Sequence, residues 1–169
     1  MAELKERLQP SLLDRLTDDE PDKRSESRDK RMLSGYQLRS SVQRDLGWLF
    51  NTTELGAVLD LDGYPEVDQS TLNFGLPDLA GKSKSGIDIE QTARALRRAI
   101  WAYEPRLLRR SVRVSLLGDP DQIEHNNLSF RIDAELWAQP VPLRLILRTE
   151  LDLESGEAVV KEVSGAGGG

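Results

Sequence analysis

Apolar residues recur at helical spacing up to Tyr103 and at every second position from Val112 onward, and the switch falls on Glu104-Pro105-Arg106. A chain whose apolar period changes from 3.6 to 2 builds helices first and consecutive strands afterwards, and each needs its apolar side covered. Ile89, Ala93, Leu96, Ile100 and Tyr103 form one stripe, with Asp88 as the expected N-cap and Gln91 three residues later. Pro105 lacks a backbone N–H and drives Glu104 from the helical region, so this helix should end near Tyr103. Beyond the corner, Val112, Val114 and Leu116 alternate with Arg113 and Ser115. Leu128, Phe130, Ile132, Ala134 and Leu136 do the same, as do Leu143, Leu145, Leu147 and Thr149, and residues 158–163 form a weaker fourth run. Residues 118–127 and Gln139-Pro140 read as turns. The expected fold is α+β: two main helices packed on a three- to four-stranded antiparallel β-meander, with a flexible N-terminal arm.

Upstream, Leu38, Val42, Leu46, Leu49 and Phe50 predict a first helix over 32–50, ended by Asn51-Thr52-Thr53. Residues 56–85 are rich in Gly, Pro, Asp and Ser. A connection of that length inside a domain is usually functional or packed, and Val67, Leu72, Phe74, Leu76 and Leu79 point to a loop lying on the core. The organisation expected is a charged arm over 1–31, one domain over 32–163 and a flexible Gly-rich tail over 164–169. Leu8, Leu12, Leu13 and Leu16 give the arm a short docking segment, which either meets a partner or folds back on the core.

With no cysteine, disulfides, thiolate catalysis and cysteine metal sites are excluded. No run approaches the roughly 20 apolar residues of a membrane span, so a cytoplasmic protein without direct membrane insertion is expected. The net charge of -6 argues against general nucleic-acid binding. Within that acidic chain, Arg94, Arg97, Arg98, Arg106, Arg109, Arg110 and Arg113 crowd residues 94–113 against the single acid Glu104. Arginine suits bidentate carboxylate or phosphate contacts, so the stripe is an acidic-protein surface, a nucleic-acid contact or a solvated helix face, and no interleaved aromatic platform or nucleic-acid motif accompanies it.

The corner itself is electrostatically odd. A carboxylate at the last turn of a helix meets the negative end of the helix dipole, a penalty of about 0.3 to 1 kcal/mol, so Glu104 does not serve the helix. In extended backbone, Glu104 and Arg106 point to the same side; they then face one partner as a two-sign probe or pair with each other. Taken as a partner contact, the corner predicts that Arg106→Ala weakens assembly without unfolding the domain.

Catalytic chemistry is sparse. His125 is the sole histidine and lies in a polar turn, and no phosphate loop or G-x-S-x-G motif occurs. A glycan hydrolase needs only two carboxyl groups about 5 to 9.5 Å apart, and Glu104 with Asp60, Asp62, Glu66 or Asp78 would supply them. Neighbouring arginines favour the charged form of Glu104, whereas a general acid needs the opposite bias. No catalytic residue, cofactor or metal site is expected.

Four segments in order resemble one family: Ser11-Leu12-Leu13-Asp14-Arg15-Leu16; Arg44-Asp45-Leu46 with Leu49-Phe50-Asn51-Thr52; Ser70-Thr71-Leu72-Asn73-Phe74-Gly75-Leu76-Pro77-Asp78-Leu79; and Tyr103-Glu104-Pro105-Arg106. They resemble TssE, the baseplate subunit of type VI secretion, over roughly residues 10 to 150. That family is related to a baseplate wedge protein of contractile phages. The resemblance implies a non-enzymatic structural subunit of a cytoplasmic baseplate docked at the inner membrane complex. It also implies TssF and TssG as wedge partners, contact with the TssB/TssC sheath, and β-augmentation between sheath and baseplate. The family's signature falls on Glu104, Pro105 and Arg106, and with Arg94, Arg97, Arg98, Arg109 and Arg110 these are the expected partner-binding residues. A glycan hydrolase using Glu104 and a regulatory adaptor on the same fold are the alternatives.

Overall fold

The computed structural model describes residues 11–17, 22, 35–78, 88–118, 127–138 and 141–163. The order is helix α1 (Leu12–Leu16), α2 (Gly35–Phe50), α3 (Pro65–Asp68), α4 (Ile89–Tyr103), then strands β1 (Arg113–Leu116), β2 (Asn127–Leu136), β3 (Leu143–Asp152) and β4 (Ala158–Glu162). The strands form one antiparallel meander in the order β1-β2-β3-β4. This is the α+β fold that the change of period demands. Leu8, residues 32–34, Leu79, the turn carrying His125, Gln139-Pro140 and the tail lie outside the described residues.

One face of the sheet is apolar because alternation in β2 and β3 sends Leu128, Phe130, Ile132, Ala134 and Leu136 to the same side as Leu145, Leu147 and Leu151, all buried. Helix α2 lies over β3 and β4, α4 lies against β1, and the two helices touch. Leu96 and Ile100 of α4 and Val42 and Leu46 of α2 are almost fully buried. At about 1.5 to 3 kcal/mol for each large aliphatic side chain, this packing outweighs helix propensity and fixes which faces turn inward. Asp88 caps α4, its carboxylate accepting from the Gln91 N–H at 2.9 Å.

The two sheet edges differ. Along β4, the Asn51 amide donates to the Ala158 carbonyl at 2.7 Å and accepts from the Ala158 N–H at 2.9 Å. Gln43 donates to the Val160 carbonyl at 2.9 Å. These groups point away from β3, so α2 closes that edge with side chains. On β1, Leu117 donates to the Ser129 carbonyl, and the same register turns the backbone groups of Val114 and Leu116 away from β2. Among the described residues, nothing pairs with them.

The long connection after α2 is ordered through short turns at Leu55–Ala57 and Thr71–Asn73 and through α3. Leu76 is buried, as expected, but Leu72 is 69 % exposed and Asn73 takes the inner position instead. Asn73 closes the loop on itself, accepting from the Gly56 N–H at 2.9 Å and donating to Asp68. Its backbone carbonyl also accepts from the Tyr103 hydroxyl at 2.8 Å. Gly75 follows at φ +142°, and a Cβ there would meet the Thr52 carbonyl oxygen at 2.4 Å.

Candidate functional site

Helix α4 delivers the corner. The Glu104 N–H makes the last helical bond, to the Ile100 carbonyl at 2.9 Å, and the Glu104 carbonyl accepts from the Leu107 N–H at 3.2 Å. Glu104 to Leu107 is therefore a β-turn with proline at its second position, where a fixed φ suits it. The exit is stitched to the sheet: the Arg106 carbonyl accepts from the Trp137 N–H at 2.7 Å, and the Leu108 N–H donates to the Glu135 carbonyl at 2.9 Å. A helix end on one side and the end of β2 on the other leave the corner little freedom.

The side chains do share one side, but they turn inward. Glu104 is only 3 % exposed. Its carboxylate accepts from Arg106 at three points: the backbone N–H at 3.1 Å, Nε at 2.7 Å and Nη2 at 2.5 Å. Arg106 Nη2 also donates to Asp45 Oδ2 on α2, 61 positions away, at 2.6 Å. Of the two arrangements open to the corner, the structure has the one in which Glu104 and Arg106 pair with each other, and Asp45 extends the pair into a clamped carboxylate–guanidinium–carboxylate cluster joining the two main helices. Burial works against the Arg106 charge, but the hydrogen bonds and charge of Glu104, and then of Asp45, outweigh it and hold this guanidinium above its ordinary value.

Asp45 extends the cluster. Its Oδ1 accepts from Arg44 Nε at 2.9 Å, while Arg44 Nη1 lies 2.9 Å from Asp14 of α1. Arg44 also stacks over the Trp48 ring at 5.0 Å. Five charged side chains, Asp14, Arg44, Asp45, Arg106 and Glu104, therefore alternate in sign from the arm to the corner. Above them opens an apolar cavity of about 690 Å³. Leu12, Leu13, Trp48, Tyr103, Pro105 and Trp137 contribute to its walls. The buried Nη1 of Arg106, which borders this cavity, has no hydrogen-bond partner.

The arginine stripe divides by contact. Arg97 stacks over Trp101 at 5.0 Å. Trp101 Nε1 donates to the Arg109 carbonyl at 3.0 Å, and Arg109 Nε donates to the Trp101 carbonyl at 3.2 Å. These three residues brace the segment after the corner against α4. Arg94 is exposed and pairs along its own helix with Glu90 at 3.3 Å. Arg98 is exposed beside Glu54, whose carboxyl is pushed up by burial and by the charge of Asp68 against the opposing pull of Arg98. Arg110 is exposed in the turn Arg109–Ser111.

Of the sequence-predicted residues, the structure brings Glu104, Pro105 and Arg106 to one cavity, and Arg97 and Arg109 to one brace. Arg94, Arg98 and Arg110 stand apart. Asp14, Arg44, Asp45 and the two half-exposed tryptophans Trp48 and Trp137 were absent from the expected site. Their only trace in the sequence is that Arg44-Asp45 and Ser11–Leu16 belong to the recognised segments. For hydrolysis the geometry is unhelpful, since both oxygens of Glu104 hold Arg106 and the nearby second carboxylate, Asp45, reaches the same guanidinium. Asp60, Asp62, Glu66 and Asp78 are exposed on the loop. Among the described residues, no cluster of His, Asp and Glu could hold a metal ion, and no helix is long and apolar enough to cross a membrane.

The family model for baseplate wedge protein gp25 matches residues 36–141, more than half of the chain, from α2 through all of β2 and including the entire corner. The chain belongs to the baseplate wedge protein gp25 family. That family includes TssE, so the resemblance carried by the four sequence segments and the family match agree. No curated protein and no solved structure gives a significant match. Membership in the gp25 family supports a structural baseplate role in contractile machinery and interaction with other baseplate subunits.

Proposed function

We propose that this gp25-family chain is the TssE-type subunit of a type VI secretion baseplate, joining TssF and TssG in the wedge and linking them to the TssB/TssC sheath. The observation that carries this reading is the family match, which spans both main helices and the corner. The corner then works as a brace: Glu104 and Asp45 hold Arg106, and that clamp sets the shape of the apolar cavity beside which a wedge subunit docks. Pro105, Arg106 and the exposed Arg94, Arg98, Arg109 and Arg110, with Arg97 behind them, form the partner-binding set, suited to acidic partner surfaces. Glu104 belongs to that set through its hold on Arg106.

The sheath contact is assigned to the edge of β1. Its outward backbone groups at Val114 and Leu116 are unpaired among the described residues, whereas Asn51 and Gln43 already occupy those of β4. An added strand from a sheath segment would gain main-chain hydrogen bonds there. The protein acts without catalysis, cofactor or nucleic acid, in the cytoplasm at the inner membrane complex. Co-expression followed by affinity capture tests the assignment: TssF, TssG and sheath proteins should be recovered together. Capture of a regulator or protease adaptor instead, or cell-wall hydrolysis abolished by Glu104→Gln, would overturn it.

A further inference from the structure

Helix α1 has five residues, too few to hold itself, since a helix that short barely repays its nucleation. Its leucines do not hold it either: Leu12, Leu13 and Leu16 are 70 %, 44 % and 73 % exposed. Among the described residues, what ties it down is Asp14, whose side chain is 10 % exposed, meets Arg44 at 2.9 Å and is hydrogen-bonded by Ser41, both on α2, while closing a capping box with Ser11. Arg44 is shared. The same guanidinium serves Asp45, whose other oxygen serves Arg106, so the attachment of α1 and the state of the corner compete for one cation.

We propose that α1 is a strap on the corner cavity, coupled through Arg44 and Asp45 to Arg106. Ser11, Leu12 and Leu13 form one wall of that cavity while Glu104, Pro105 and Arg106 form another, so the linkage joins two sides of one opening. A group that draws Arg106 away from Asp45 leaves Asp45 with Arg44 as its cation. Arg44 then holds Asp14 less strongly and the strap loosens. Neutralising Asp45 does the opposite, because Arg44 is left to Asp14 alone. The coupling is internal to this chain and stands or falls without the baseplate assignment.

Hydrogen exchange of the isolated full chain reads it, with the amides of Asp14 and Thr17, both hydrogen-bonded in α1, reporting the strap. The core amides of β2 and β3 report global stability. Relative to that core, Arg106→Gln should lower strap protection and Asp45→Asn should raise it, each by about three- to tenfold, the range for partly screened charged hydrogen bonds. Asp14→Asn should lower strap protection with the core unchanged. Shifts of the same sign in Arg106→Gln and Asp45→Asn, or no shift in either, would overturn the coupling. If Arg106→Gln does not fold, Asp45→Asn and Asp14→Asn decide alone: unchanged or lowered protection in the first, or unchanged protection in the second, contradicts it.

Discussion

Removing Arg106 would leave Glu104 and Asp45 without the cation that both of them hold. Breaking a buried ion pair from one side costs about 3 to 5 kcal/mol, far more than the 0 to 1 kcal/mol of an exposed pair. Arg106→Ala should therefore lower the unfolding free energy by about 3 to 4 kcal/mol in a denaturant titration, scaled down slightly because Arg106 keeps 17 % side-chain exposure. The sequence-based expectation that this change spares the fold is reversed by the burial of Glu104. A loss below about 1 kcal/mol would mean that the cluster is solvated. Asp14 offers a second test at this scale. Burial opposes its charge, but hydrogen bonds from Ser11, Arg44 and Ser41 outweigh that and hold its carboxyl below the ordinary 3.8. A lowered carboxyl contributes stability that is present above its ordinary value and lost as pH falls through the folded value. Trp48 fluorescence, which reports the cavity beside α1, should stay level from about pH 8 to 5 and change only below 3.8. A midpoint above pH 5 would contradict the ion pair as the tether.

Among the elements, β3 carries an internal flaw and β4 a guarded edge. Thr149 is fully buried opposite Phe130 and Val160, and its hydroxyl has no partner. Thr149→Val removes that unpaired group at nearly constant volume and should stabilise the domain by about 1 to 2 kcal/mol. Destabilisation in the same titration would show that the hydroxyl is satisfied. Asn51 caps both backbone groups of Ala158, so Asn51→Ala should cost about 1 to 3 kcal/mol and expose an edge that promotes self-association, visible by light scattering. A monomeric, equally stable variant would contradict the edge assignment. The two main helices and the strands were legible in the sequence because their apolar periods differ and because Asp88 and Pro105 mark both ends of α4, whereas the four-residue α3 lies inside a stretch that reads as loop. The exposed Leu72 and inward Asn73 were not, since a loop's packing is set by which polar side chain closes its backbone, and spacing carries no such signal. The corner's location was legible and its orientation was not. Same-side geometry follows from local backbone, whereas the identity of that side depends on Asp45, 61 residues away.

At the scale of the whole molecule, the corner locks α2, α4 and the end of β2 to one another, while Arg94 and Arg98 stand exposed on α4 and Arg110 in the turn that follows the corner. On the proposed reading, this frame serves assembly with baseplate wedge subunits and not turnover of a substrate. Exposed charges contribute little to folding, so Arg98→Glu combined with Arg110→Glu should leave the melting temperature within about 4 °C of the unaltered chain. Affinity capture from cells co-expressing TssF and TssG is the most direct measurement. The unaltered chain is predicted to recover both, and the Arg98→Glu, Arg110→Glu variant to lose most of that recovery at unchanged stability. Failure of the unaltered, folded chain to recover either subunit would rule out that assembly role.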